Sequence, residues 1–163
     1  MKIKEQSLYP DVISFLEKRL QILFPTWKVK AFDTSKFKLS GFLERSGMSD
    51  FFPGSDGFEI QVDVTGVLQR GNNKWLAFVE CKCAPITLKD VGQILGYSRV
   101  ALPVFALITS PSGISGQLNL LLTTYNRVDL LDYAPGKLIK IATWDIDRKH
   151  VRPDTVFPPG ELG

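Results

Sequence analysis

Apolar and polar positions first predict a helix and then a strand near the start of the chain. Between residues 9 and 24, apolar side chains recur every three or four positions, at Val12, Ile13, Leu16, Leu20 and Leu23. That spacing is typical of one helical face, with Pro10 in its first turn and Pro25 after its end. Residues 27–32 alternate as a strand does. Residues 34–57, rich in Gly, Ser, Lys and Phe, are expected to be irregular.

The middle of the chain gives the clearest pattern. Residues 58–68 and 75–83 are β-rich runs separated by Gln-Arg-Gly-Asn-Asn-Lys, which predicts a hairpin. The pattern then predicts a helix over Leu88–Ala101, a buried strand over 104–109, a helix over 115–125 and strands over 128–133 and 137–146. We expect one domain spanning residues 1–163, with a mixed sheet covered by helices and an irregular tail from about residue 150.

Three charged residues interrupt the two strands of this hairpin. Asp63 stands within one apolar run, and Glu80 and Lys82 stand within the other. A carboxylate in such a position is unfavourable unless it is paired or bound to a cation. Because side chains alternate along a strand, Glu80 and Lys82 share one face while Cys81 and Cys83 share the other.

The hairpin turn decides whether the two carboxylates meet. If Gly71 and Asn72 form a two-residue turn, paired residues have numbers that sum to 143, and Asp63 lies opposite Glu80. Their β-carbons would then be roughly 4.5–5.5 Å apart. A three-residue loop would instead turn Asp63 to the other face unless a bulge restored the phase.

Paired carboxylates of this kind predict a divalent cation. Oxygen-only ligation suits Mg²⁺, which can share its coordination sphere with a phosphate, and Mn²⁺ is expected to substitute for it. Lys82 would hold or deprotonate a water, or stabilise charge on the phosphoryl oxygens. The competing interpretation is a structural ion pair between Lys82 and either carboxylate at the sheet edge.

Composition bounds the function only loosely. The net charge of +3 and the 44% apolar content are those of an ordinary soluble protein, and they permit a polyanionic partner without requiring one. Cys81 and Cys83 cannot easily bridge within one strand, and no stretch is long enough to span a membrane. A cytoplasmic protein is expected. Zinc bound by these cysteines with His150, or a cysteine nucleophile paired with His150, lacks supporting residues.

The order of these elements resembles the PD-(D/E)XK nuclease superfamily, which includes restriction endonucleases, junction resolvases and RecB-like exonucleases. The motif reads Val62-Asp63, a hairpin, then Glu80-Cys81-Lys82, and it lacks the proline before the Asp. The resemblance covers roughly residues 9–109. It implies a restriction-endonuclease-like fold, an α/β domain with an α-β-β-β-α-β core. It also implies that Asp63, Glu80 and the carbonyl of Cys81 bind the metal, and that Lys82 acts in catalysis.

The same resemblance extends to residues on two helices. It suggests that Glu17 on the first helix faces the metal, although a solvated glutamate explains that position as well. Gln93 and Tyr97, four residues apart, are similar to the Gln-x-x-x-Tyr motif of the RecB-like branch, which supports the active site and contacts DNA. Lys89 and Arg99 flank that helix and are candidates for phosphate neutralisation.

These residues predict a Mg²⁺-dependent nuclease that hydrolyses DNA phosphodiester bonds, working as a homodimer so that both strands are cut. Two other functions remain open. One is a non-catalytic nucleic-acid-binding or assembly protein that retains the nuclease fold. The other is a metal-dependent enzyme acting on a different phosphate ester or on a nucleotide.

Overall fold

A computed structural model describes residues 2–160 and residue 162 of the chain. The helices are α1 (Tyr9–Leu23), α2 (Leu39–Arg45), α3 (Leu88–Ala101) and α4 (Gly116–Asn119), which continues as a π-helical turn over Leu120–Thr124. The strands are β1 (Lys28–Asp33), β2 (Val64–Arg70), β3 (Asn73–Cys81), β4 (Phe105–Ser110), β5 (Asp132–Ala134), β6 (Lys137–Leu138), β7 (Lys140–Asp145) and β8 (His150–Val151).

Six strands form one mixed sheet in the order β1-β2-β3-β4-β7-β8. The pairs β1–β2, β2–β3 and β7–β8 are antiparallel, whereas β3–β4 and β4–β7 are parallel. Strands β5 and β6 form a separate two-stranded ribbon. Apart from α2, inserted between β1 and β2, the order α1, β1, β2, β3, α3, β4 is the predicted α-β-β-β-α-β core, so the predicted fold class is confirmed.

Helices cover both faces of the sheet. Helix α1 packs with Val64, Leu68, Val79 and Cys81 on one face, where Trp144 and Val156 from the end of the chain join it. The opposite face has two clusters. Helix α2 covers Val67, Leu76 and Phe78, and helices α3 and α4 cover Ala106, Ile108 and Ile141. The strands β2, β3 and β4 therefore bury alternate side chains on opposite sides of the sheet.

Gly66 allows helix α1 to lie close to the sheet. A β-carbon added at this position would come within 2.9 Å of a Leu20 methyl group and within 3.2 Å of the Ala77 β-carbon. The missing side chain is therefore what seats α1 at this depth over β2. By contrast, nothing lies within 4 Å of a β-carbon built at Gly92 or Gly96, so these two glycines of α3 do not mark a close approach to another backbone.

Four segments differ from the expectations. Residues 58–63, expected in the first strand of the hairpin, precede β2, which begins at Val64. Residues 34–57 contain α2, because Leu39 and Leu43 give a short helix an apolar stripe that packs on the sheet. The predicted strand over 128–133 is a 3-10 turn (Val128–Leu131) followed by the short β5. The tail from residue 150 contains β8, and its Val151, Val156 and Leu162 are buried in the core beneath α1. Burial therefore orders a segment that composition alone describes as loop.

Within the described residues, no helix is long and apolar enough to cross a membrane.

Candidate active site

The six-stranded sheet divides between β2 and β3 at the end opposite their hairpin turn. All seven β2–β3 pairs, from Arg70–Asn73 to Val64–Val79, have numbers that sum to 143, which is the predicted two-residue-turn register. Beyond Val64 the chain stays with β1, since the Thr34 amide donates to the Asp63 carbonyl at 2.9 Å. Strand β3 instead stays with β4, pairing Cys81 with Thr109. Asp63 therefore lies one residue outside the ladder that was expected to contain it.

The side chain of Asp63 spans this division. Its Oδ2 accepts a hydrogen bond from the backbone amide of Cys81 at 2.9 Å, and its Oδ1 accepts one from the Tyr9 hydroxyl at 2.8 Å. Its own backbone amide lies 3.4 Å from Glu80 Oε2 and donates to it. The carboxylate thus occupies a position where a continued sheet would have ladder hydrogen bonds, and it lies next to Glu80.

Glu80 is a buried acid with a neighbouring negative charge. Its side chain, on the α2 and α3 face, is only 3% exposed. Burial and then the charge of Asp63 raise the pKa of Glu80 to about 8, although Lys82 and the Asp63 amide lower it. A buried carboxyl whose pKa is raised in this way is a common feature of functional sites.

Lys82 carries the positive charge nearest to this pair. Its Nζ lies 3.5 Å from Glu80 Oε1 and 4.0 Å from Asp90 Oδ1. Burial lowers the pKa of Lys82, but the charges of four carboxylates outweigh that effect and leave the pKa above its ordinary value; they belong to Glu80, Glu5, Asp90 and Asp63. Lys82 is therefore an ammonium ion at neutral pH.

The beginning of α3 faces the same site. Thr87 and Asp90 form a capping box, in which Asp90 Oδ2 accepts from the Thr87 amide and hydroxyl at 2.9 Å each. The other oxygen of Asp90 is the one near Lys82. A residue that stabilises the first turn of the helix therefore also fixes the position of that turn relative to β3.

The N-terminal turn closes the site on the α1 side. Glu5 lies in a 3-10 turn (Glu5–Ser7) directly before α1, and its charge raises the pKa of Lys82, Cys83 and Tyr9. Between this turn and the end of β3 is an open cleft of about 620 Å³. The cleft is lined by Lys2, Ile3, Lys4, Glu5, Gln6, Tyr9 and Cys83. Because Tyr9 contacts Asp63, the cleft lies beside the Asp63 carboxylate on the α1 side.

The structure brings together only some of the residues that the sequence pointed to. Asp63, Glu80, Lys82 and the backbone of Cys81 form one cluster, whereas Glu17 is on α1 eight residues after Tyr9, roughly 12 Å along a helix. Lys89 is exposed in the first turn of α3, beside Asp90. Arg99, near the other end, donates to the Asp132 carbonyl at 3.2 Å and so joins α3 to β5.

Gln93 and Tyr97 lie on one face of α3, as their spacing predicts. Gln93 Nε2 donates to the Tyr97 hydroxyl at 3.1 Å. Gln93 is exposed, whereas the ring of Tyr97 packs against the apolar cluster under α2. The pair is therefore a connected polar group on an accessible surface, three and seven residues beyond Asp90.

The cysteines are arranged as core residues. Cys81 is buried beneath α1, Cys83 is partly buried against the same cluster, and both are free thiols. His150 is on β8, three strands away from β3. In residues 2–160 and 162, no group of three or more His, Cys, Asp or Glu side chains is arranged to hold a metal ion. The structure therefore does not bring His150 together with Cys81 and Cys83, as the zinc-site and cysteine-nucleophile alternatives would require.

Three members of the site, Tyr9, Glu5 and Asp90, were not predicted from the sequence. Tyr9 was noted only as the beginning of a helix, and Glu5 precedes any periodic pattern. Neither has a sequence signal of function, because their proximity to Asp63 and Lys82 depends on where α1 sits on the sheet. Asp90 did have a signal, the Thr-x-x-Asp spacing of a capping box.

Comparisons with known proteins give little further information. No family model matches the chain, and no curated protein matches it. Among solved structures, the chain is similar to the MspJI restriction endonuclease in complex with a 27-mer oligonucleotide, with 8% sequence identity and a TM-score of 0.43. The match covers 84% of this chain and 26% of that one, so the chain spans about a quarter of that protein's length.

Proposed function

We propose that the protein is a divalent-metal-dependent nuclease that hydrolyses DNA phosphodiester bonds. The observation that carries this proposal is the division of the sheet at Val64, which brings Asp63 and Glu80 together beside Lys82. Fold stability does not explain this arrangement well, because it places two acids in contact and buries one of them. Such a cost is commonly found where a site has a chemical role.

The residues present fit a hard divalent cation. Asp63 and Glu80 offer carboxylate oxygens from adjacent strands, and the Cys81 peptide lies against Asp63, with its thiol on the other face in the core. An oxygen-only set with few protein ligands suits Mg²⁺, with Mn²⁺ as a substitute, and leaves room for a phosphate. Asp63 and Glu80 would hold the cation, together with the carbonyl of Cys81. When bound, it would supply Lewis acidity toward a phosphoryl oxygen.

Lys82 would act as a cation at the reacting phosphate. Its pKa is raised by four nearby carboxylates, which favours an ammonium that donates hydrogen bonds over a neutral amine that accepts a proton. Charge grows on the phosphoryl oxygens as the phosphodiester bond breaks, and a fixed ammonium stabilises that charge. Of the two roles predicted for Lys82, charge stabilisation therefore has the better support.

One observation favours a second candidate function. Lys82 Nζ lies 3.5 Å from Glu80 Oε1, a contact that a purely structural site would also make. A non-catalytic nucleic-acid-binding protein with this fold would keep that pair and bind DNA without cutting it. Measurements of DNA binding and DNA cleavage on the same preparation separate the two functions.

The test is a cleavage assay with purified protein on supercoiled, linear, single-stranded and branched DNA, in Mg²⁺, in Mn²⁺ and in chelator. We expect cleavage only with metal. Asp63→Ala and Glu80→Ala should each abolish it by removing a metal ligand while leaving the fold intact. Lys82→Ala should still bind metal but lose most of kcat, because its charge is needed mainly in the transition state.

Asp129→Ala is the matched control. This acid is exposed, forms a surface ion pair with Arg127, and lies in the 3-10 turn Val128–Leu131, outside the six-stranded sheet. The control should cut DNA as the wild type does. Wild-type cleavage by both the Asp63→Ala and Glu80→Ala variants would place the active site elsewhere. DNA binding without cleavage in any metal would favour the second candidate.

A further inference from the structure

The hydroxyl of Tyr9 points at Asp63 from the first turn of α1. It donates to Asp63 Oδ1 at 2.8 Å, and the tyrosine as a whole is only 4% exposed. Burial, followed by the charge of Asp63, raises the pKa of the Tyr9 hydroxyl, so it remains a neutral donor. Its ring belongs to the apolar cluster beneath α1, which limits the directions in which the hydroxyl can point.

Tyr9 and the Cys81 amide together restrain both oxygens of Asp63. Each oxygen accepts one hydrogen bond, Oδ1 from Tyr9 and Oδ2 from Cys81. A carboxylate has about four lone-pair positions, so each oxygen keeps about one for a further partner. The rotation of the carboxylate is therefore fixed before any cation arrives.

The position of the Tyr9 hydroxyl is itself fixed by α1. That helix sits against β2 at Gly66, where the methyl groups of Leu16 and Leu20 fill the place of a side chain. Asp63 precedes Gly66 by three residues along the same chain. Helix α1 thus contacts this segment at Gly66 and also at the Asp63 carboxylate.

We propose that Tyr9 is a positioning residue for the metal site, holding Asp63 in the orientation that binds a divalent cation. This inference rests on the proposed function, and it gives α1 a role through Tyr9 rather than through Glu17. Hydrogen-bond donors behind metal ligands orient the ligand, and their loss commonly costs metal affinity. A purely structural Tyr9 would instead contribute to stability and leave metal affinity unchanged.

The test compares Tyr9→Phe with Tyr133→Phe. Tyr133 is the matched control because it is also buried, at 6% exposure, and its hydroxyl donates to the Pro103 carbonyl at 2.6 Å, within a different core cluster. Both substitutions delete one buried hydroxyl and keep the ring. Mn²⁺ alone is titrated into each protein by calorimetry, and thermal unfolding is followed in chelator.

We expect Tyr9→Phe to weaken Mn²⁺ binding by roughly 10-fold or more, as for other residues that orient metal ligands. Tyr133→Phe should bind Mn²⁺ as the wild type does, even where its melting temperature falls. Equal Mn²⁺ affinity in the wild type and Tyr9→Phe would overturn the inference, leaving the metal site in place. Wild-type protein that binds no Mn²⁺, or binds it equally after Asp63→Ala, would overturn the proposed metal site and this inference together.

Discussion

Glu80 is the residue whose environment opposes its charge most clearly. It is buried, lies next to Asp63, and has Lys82 as its nearest cation. In the folded protein its pKa is raised to about 8, from an ordinary value of 4.5. Between these two values the folded chain binds more protons than the unfolded chain, so folding is favoured by protonation.

This makes stability depend on pH in a specific direction. In metal-free buffer, the Glu80 contribution to the free energy of unfolding should be present below pH 4.5 and lost as pH rises toward about 8. One fully displaced proton gives a slope of about 1.4 kcal/mol per pH unit. Urea unfolding in chelator at several pH values between 5 and 8 measures it. Glu80→Gln should show a shallower dependence, and parallel curves for the two proteins would contradict the prediction.

For individual residues, the sequence was informative where a charged residue interrupts an apolar pattern. The clustering of Asp63, Glu80 and Lys82 could be predicted because each is a charged residue within an apolar run. Tyr9 could not, since a tyrosine at the start of an amphipathic helix satisfies the pattern. Glu17 was proposed from family resemblance, yet it is Tyr9, eight residues earlier, that contacts Asp63.

Among the elements, the hairpin was the most predictable. Its register follows from the two-residue turn at Gly71 and Asn72, which local sequence determines. The end of the β2–β3 ladder at Val64 was not predictable. It depends on Thr34, a buried residue whose hydroxyl donates to the Val62 carbonyl at 2.6 Å and whose amide donates to Asp63. These two hydrogen bonds join residues about thirty positions apart. The apolar periodicity within a segment does not predict contacts between such distant segments.

Helix α3 presents Gln93 and Tyr97 on the side of the molecule where Asp90 meets Lys82. If this face guides DNA, Gln93→Ala should reduce cleavage substantially, whereas Tyr97→Phe should have a smaller effect and leave Mn²⁺ affinity nearly unchanged. The reason is that Tyr97→Phe keeps the ring packed under α2 and loses only the hydroxyl. Steady-state cleavage and calorimetry measure the two effects.

The contrasting result has a defined meaning for this helix. An exposed polar pair without a role is worth a few tenths of a kcal/mol, as for ordinary surface substitutions. Full activity in a Gln93→Ala, Tyr97→Ala double variant would therefore exclude the RecB-like branch. It would leave the nuclease proposal intact, since that proposal depends on β2 and β3.

For binding to a polyanion, the distribution of charge over the protein is more informative than its net charge. The excess of three positive charges is small, but Lys2 and Lys4 line the cleft beside Tyr9 and Cys83. Under the proposed nuclease function, we expect a DNA strand whose phosphate reaches Asp63 to extend along this cleft. Lys2→Ala, Lys4→Ala should then raise KM more than it lowers kcat. It should also reduce the salt dependence of DNA binding by roughly one phosphate contact per lysine.

The control for that variant removes the same charge elsewhere. Lys28 and Lys30 are exposed on β1, an edge strand of the sheet, so Lys28→Ala, Lys30→Ala changes the net charge equally without touching the cleft. Fluorescence anisotropy with a labelled oligonucleotide in chelator gives the salt dependence of both. Identical behaviour of the two double variants would mean that the cleft does not bind the strand.

The division of the sheet also has a consequence for the geometry of the site. Strands β1 and β2 form one part of the sheet, and β3, β4, β7 and β8 form the other. The two parts are paired along the β2–β3 hairpin and separate next to Asp63 and Glu80. Helix α1 packs on both parts of the sheet, contacting β1, β2, β3 and β8. Because α1 packs on both parts of the sheet, we expect its packing to influence the separation of β2 and β3 where their ladder ends. The separation of Asp63 and Glu80 then depends on the whole fold, and we expect a substitution beneath α1 to alter it without touching either residue.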